Sequence, residues 1–266
     1  MTKPLNNPKD HDAIASARRF EPVYVDRPFI LNSLPKCGTV MLRNILLHFI
    51  GPDAMHIRTL EPGDVSKFEK VDDLFPGEAP LGLVAHFPLY PQTASFVRSL
   101  GEHRMVVLIR HPLDNCYSLA RHITRPGMRK WDKFSEYLIE NNCAFEEAVW
   151  YCLHGYTYQG VLIESVQRRY SHYLAWQAQG AQMVRYEDIV EAIGDLDSKR
   201  SEGYFRATLG AFGIDLPDDW RERIEAASAS EISWTATKQR GDRPSEAAFQ
   251  RALEIEASGL LKTLGY

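Results

Sequence analysis

Short apolar runs separated by polar turns set the rhythm of this chain, and helical spacing takes over between them. The run Pro28-Phe29-Ile30-Leu31 is apolar without alternation, as a strand buried on both faces would be. A polar segment follows, Ser33-Leu34-Pro35-Lys36-Cys37-Gly38-Thr39. Beyond it Val40, Met41, Ile45, Leu46, Phe49 and Ile50 recur at helical spacing up to Gly51-Pro52. The first informative unit is therefore strand, tight loop, helix. Further strands are predicted at Leu81 to Ala85, Met105 to Ile109 and Gln182 to Arg185, with the strongest apolar signal at 105–109. A helix is predicted from Leu113 to His122; the aromatic-rich stretch 131–178 reads as helices. The tail from 202 reads as mostly helical, with a polar interruption at 236–244. Residues 1–20 have the composition of a flexible polar leader. No repeat and no linker divides residues 21–266, so they read as a single α/β domain, a central parallel sheet flanked by helices. Such sheets bind ligands at the carboxyl ends of their strands, which puts the turns after Leu31, Ala85, Ile109 and Arg185 on one functional edge.

Composition narrows the partners. The chain has 266 residues, with 31 Lys+Arg against 35 Asp+Glu, a net charge of -4. That lacks the basic excess of a general nucleic-acid binder, so no nucleic-acid partner is expected. The hydrophobic share of 44% and charged share of 25% are those of a globular protein and exclude long disorder. Cys37, Cys116, Cys143 and Cys152 form no C-x-x-C pair and no Cys/His cluster of zinc-ligand spacing; free thiols in a reducing cytoplasm and no metal are expected. The first residues contain no apolar signal core, and no apolar run approaches the ~20 residues that span a bilayer, so no membrane insertion is expected. An anion bound by this acidic chain must be held by local geometry.

The segment 33–39 offers such geometry. At a strand-to-helix turn several backbone N–H groups point outward without helical partners, Gly38 permits close approach, Thr39 adds a hydroxyl and Lys36 a mobile charge. The Walker spacing is absent, because no Gly stands five residues before Gly38 and the Lys precedes the Gly. A plain Gly-containing turn with an exposed lysine would read the same way. The segment Val106 to His122 repeats the logic. A buried strand ends at Arg110, whose planar fork suits a phosphate, and Pro112 opens a helix that carries Ser118. Between the two elements, Val84-Ala85-His86-Phe87-Pro88 puts a histidine at a strand end. A histidine there suits general-base work, and a structural cap is the competing reading.

These segments together resemble the PAPS-dependent sulfotransferases (PAPS is 3′-phosphoadenosine 5′-phosphosulfate). The stretch Phe29 to Leu46, FILNSLPKCGTVMLRNIL, resembles the family's 5′-phosphosulfate loop, P-K-[ST]-G-T-T-W, with Cys37 in place of the hydroxyl residue and Met41 in place of the Trp that stacks on adenine. R-H-P-L-D-N-C-Y-S resembles the 3′-phosphate element R-[DN]-P-x-D-x-x-x-S, with the same interval from Arg110 to Ser118. H-F-P matches part of the K-T-H-x-P segment that holds the family's catalytic His. Tyr186, in Val184-Arg185-Tyr186-Glu187-Asp188, matches a Tyr that contacts adenine, though a core aromatic at a strand end reads alike. The 238–243 segment resembles, in degenerate form, a C-terminal loop over the 3′-phosphate; Arg240-Gly241 is the preferred alignment, with Lys238 and Arg243 as competitors.

The resemblance implies a P-loop-like fold and transfer of a sulfuryl group from PAPS to a hydroxyl or amine of a small-molecule acceptor, leaving PAP, 3′-phosphoadenosine 5′-phosphate. It implies His86 as general base, and Lys36 with the amides of Cys37, Gly38, Thr39 and Val40 on the sulfuryl and leaving phosphate. Arg110, Ser118, Tyr186, Arg240 and Gly241 would hold the nucleotide. Two other classes stay open: an ATP-dependent small-molecule kinase of related fold and a non-catalytic nucleotide-binding protein. The aromatics of 122–160 would line an acceptor pocket or form helical core.

Overall fold

The computed structural model describes residues 8–65, 75, 80–124, 133–158, 160–229 and 246–266. Along the chain run α1 (Pro8–Ala17), β1 (Phe29–Ser33), α2 (Thr39–Ile50), β2 (Met55–Leu60), α3 (Pro62–Val65), β3 (Gly82–Ala85), α4 (Pro91–Ser99), β4 (Arg104–Ile109) and α5 (Pro112–Ile123). Then come α6 (Lys133–Glu140), α7 (Phe145–His154), β5 (Tyr156–Tyr158), β6 (Val161–Ile163), α8 (Val166–Leu174), β7 (Gln182–Arg185), α9 (Tyr186–Ile193), α10 (Lys199–Gly210), α11 (Trp220–Ala229) and α12 (Glu246–Leu264). Two compact units divide the chain: residues 1–109 with 173–233, and residues 110–172 with 234–266.

The first unit holds a five-stranded sheet in the order β2-β3-β1-β4-β7, parallel throughout. Leu31 lies opposite Val84 on one side and Val106 on the other. From β1 the chain continues to the β2-β3 side and from β4 to the β7 side, so the β1–β4 boundary is a switch point of the kind where ligands bind. All five residues of β1 are buried, as are Val106, Val107 and Leu108 of β4. That is why Phe29-Ile30-Leu31 and Val106-Val107-Leu108 are unbroken apolar runs. Leu31→Ala would cost about 2–5 kcal/mol, the usual range for a fully buried Leu. Helix α2 packs on β1 and on α1 and α11, and it stops at Gly51, whose φ of 79° and following Pro52 end the helical path.

Three elements depart from the sequence expectations. Residues 8–17 of the supposed leader form α1, with Ala13 and Ala17 buried and Asp10 bonded to the buried Arg43 at 2.6 Å. Strand β2 (MHIRTL) fills one edge of the sheet, where the apolar pattern predicts no strand. Within the stretch expected to be helical, Gly155 (φ 81°) ends α7 and an antiparallel hairpin, β5-β6, follows. In the second unit α5 packs on α7, and α12 packs on both. All four cysteines are free thiols. Among the described residues no helix is long and apolar enough to cross a membrane.

Candidate functional site

The loop after β1 is built by two left-handed residues. Leu34 N–H still bonds Leu108 O at 3.1 Å; then Cys37 N–H donates back to Leu34 O at 3.2 Å, closing a turn. Lys36 has φ 72° and Gly38 φ 96°. The lysine's conformation is uncommon for a residue with a Cβ, and such backbones persist only where the surroundings impose them. Helix α2 begins at once, with Leu42 N–H bonding Gly38 O at 3.2 Å. The amides of Thr39, Val40 and Met41 precede that bond and form the positive end of the helix. Lys36 stands beside them.

Two of the predicted loop residues have other duties as well. The Cys37 side chain is fully buried, and its amide closes the turn. The Thr39 hydroxyl donates to Ser33 Oγ at 2.8 Å, and Ser33 Oγ donates to Leu34 O at 3.1 Å, which ties strand end to helix start. Met41 is 3% exposed, in the core, whereas Val40 is 37% exposed at the helix mouth. Tyr186, at the carboxyl end of β7, lies against Gly38: a Cβ there would sit 2.3 Å from the Tyr186 Cδ2 atom.

His86 follows β3 and meets the same loop. Its Nδ1 lies 2.5 Å from Ser33 O, and its backbone N–H donates to Leu60 O at 2.8 Å. A carbonyl only accepts, so Nδ1 carries the proton and Nε2 the lone pair. Burial pushes the imidazole down to about 4; the Ser33 carbonyl opposes this and the Lys36 charge adds to it. The ring is therefore neutral at pH 7, as a proton acceptor must be. Asn32, fully buried at the end of β1, holds the segment in place: its amide donates to Phe87 O at 2.9 Å and accepts from Phe87 N–H at 2.8 Å. Trp176 adds a bond to Phe87 O at 2.7 Å. Beyond His86, Glu61 Oε1 lies 4.0 Å from Nε2. Asn32, Ser33 and Glu61 are not singled out by the sequence, because each acts on a partner far along the chain.

The first unit thus brings together Lys36, Cys37, Gly38, Thr39, Val40, His86 and Tyr186. In the second unit Arg110 stands two residues before α5, its carbonyl accepts from Tyr170 Oη at 2.6 Å, and Ser118 is 7% exposed within the helix. Pro112 occupies the first turn and Asn115 N–H bonds His111 O at 2.9 Å, the expected start after a strand. Arg240, Gly241, Lys238 and Arg243 lie outside the described residues. Among the described residues no group of three or more His, Cys, Asp or Glu gathers as a metal site.

No protein-family model matches the sequence, and no curated protein matches it either. Solved structures do match. A mouse sulfotransferase complexed with PAP superposes with a TM-score of 0.57 at 13% identity, covering 97% of this chain and 94% of that one. A retinol dehydratase in a complex with retinol and PAP gives 0.51 at 16% identity, covering 96% of this chain and 86% of that one. Likeness at these identities is a likeness of architecture, and the fold of this chain is the α/β fold of the sulfotransferases.

Proposed function

We propose that this chain is a sulfotransferase that moves a sulfuryl group from PAPS to a hydroxyl or amine of a small-molecule acceptor. One observation carries the reading: the strand-end carbonyl of Ser33 orients a neutral His86 beside an amide-lined loop that holds Lys36. The proteins that share the fold include two complexed with PAP, which supports the choice of nucleotide. The loop's shape supports such a ligand: Gly38 takes a left-handed conformation directly before the helix N-terminus, and Tyr186 packs where a Cβ would stand. When bound, PAPS supplies an activated sulfuryl group on a phosphate leaving group. Lys36 and the amides of Thr39 and Val40 stabilise the charge that gathers on those oxygens. His86 Nε2 takes the acceptor's proton. Arg110 and Ser118 are proposed for the 3′-phosphate from their sequence pattern, and Arg240-Gly241 likewise. A cytoplasmic place of action belongs to the same reading.

Transfer of labelled sulfate from PAPS to 2-naphthol and a panel of alcohols and amines tests it. Transfer by the wild type is expected, with a loss of about 100-fold or more in His86→Ala at unchanged PAP affinity. ATP-dependent phosphorylation of the same acceptors would point to a kinase. PAP binding with no transfer to any acceptor would point to a non-catalytic binder.

A further inference from the structure

A proton taken by His86 cannot stay there. The ring is 14% exposed and lies near the Lys36 ammonium, so a second positive charge on it is costly. A group that faces the same nitrogen is needed to remove it. Glu61 stands at that point. It follows β2 directly, its Oε1 is 4.0 Å from His86 Nε2, and its side chain is 54% exposed, open to solvent on its other side. Two contacts hold the backbone on either side of this approach. The His86 N–H bond to Leu60 O ties the ends of β3 and β2 together, and Glu61 N–H donates to Asp64 Oδ2 at 2.9 Å. Asp64 is itself held by Arg58 at 2.5 Å. A separation of 4.0 Å is too long for a direct hydrogen bond and short enough to be closed by one rotamer adjustment or one bridging water.

We propose that Glu61 receives the proton that His86 removes from the acceptor and passes it to solvent. The step rests on the sulfotransferase reading and balances as follows. The acceptor oxygen forms a bond to sulfur, and the bond between sulfur and the phosphate oxygen breaks with its electron pair staying on PAP. The acceptor's proton goes to His86 Nε2, then to Glu61 Oε1, then to water. The driving force has the right sign. Burial and the Asp64 charge raise the Glu61 carboxyl to about 7, against Arg58, while the imidazole stands at about 4. The proton therefore runs downhill from ring to carboxylate. Among the described residues, the charged and titratable groups acting on the pair are Asp64 and Arg58 on Glu61, and Lys36 on His86.

Two measurements on the full chain test the proposal. The first is turnover of 2-naphthol with PAPS against pH. Wild type should lose kcat as pH falls through about 7, where Glu61 becomes protonated and can no longer accept. Glu61→Gln should lower kcat about tenfold or more, remove that limb and leave PAP affinity unchanged; Glu61→Asp should retain the limb. An unchanged kcat and profile in Glu61→Gln would overturn the proposal. The second is nitrogen NMR of histidine-labelled protein, which needs no turnover. The His86 Nε2 signal should shift with a midpoint near 7 in wild type and stay flat there in Glu61→Gln. Identical titrations in the two proteins would overturn the pairing. Failure of wild type to bind PAP would instead overturn the sulfotransferase reading, and the NMR result would still stand or fall by itself.

Discussion

Gly38 is held to glycine by two separate constraints. Its φ of 96° lies where L residues are strained, and a Cβ would meet the Tyr186 ring at 2.3 Å and 2.6 Å. Gly38→Ala must shift either the loop or the ring, and both border the proposed nucleotide site. The expected result is a loss of PAP affinity of about tenfold or more in calorimetry, with the fold retained by circular dichroism. Unchanged affinity would show that the loop's shape is not what binds. Lys36, Gly38 and His86 were legible in the sequence because each interrupts an apolar pattern at a strand end. Asn32 and Ser33 were hidden inside what read as a strand and its turn. Their roles appear only when Phe87 and His86 are brought to them by β3. The sequence leaves open what Met41 does in place of the Trp; the turn of α2 directs Met41 into the core and leaves Val40 exposed.

Elements were legible in proportion to how far local pattern decided them. Strands β1 and β4 are buried on both faces, so an unbroken apolar run identifies each one. Strand β2 lies at an edge and mixes His56 and Arg58 with apolar residues, which weakens the signal. The hairpin β5-β6 has only three residues in each strand, and its tyrosines also fit a helix. Helix α1 was missed because its sequence is polar overall and its anchor is tertiary. Ala13 and Ala17 are buried, and Asp10 pairs with Arg43 at side-chain exposures of 13% and 9%. The carboxylate therefore matters more than a surface ion pair would. Asp10→Ala leaves the buried guanidinium with less compensation and should lower stability by about 2–3 kcal/mol in denaturant titration. A change below about 0.5 kcal/mol, the level of an exposed pair, would show that α1 is not anchored there.

At the scale of the whole molecule, three histidines whose protonation is disfavoured by desolvation contribute to the response to acid. Burial lowers His48 and His56 from 6.5, and His86 from 6.5 to about 4. Each must gain a proton on unfolding below its ordinary value. Their contribution to stability is therefore complete above about 6.5 and is lost as pH falls, for His86 down to about 4. Glu61, raised to about 7, works in the opposite direction between 4.5 and 7, as one partly exposed group against three. The melting temperature should fall as pH drops from 6.5 towards 4, and less steeply in His48→Asn; a flat profile would contradict the burial of neutral imidazoles. The net charge of -4 predicts poor anion binding, whereas the loop at β1 concentrates amides and Lys36 at one point. Calorimetric titration of PAP into the purified full chain sets these two expectations against each other. A saturable complex with affinity on the order of micromolar is expected, weakened at least tenfold in Lys36→Ala and in Arg110→Ala. No heat of binding in the wild type, or equal binding by both variants, would contradict the proposed function.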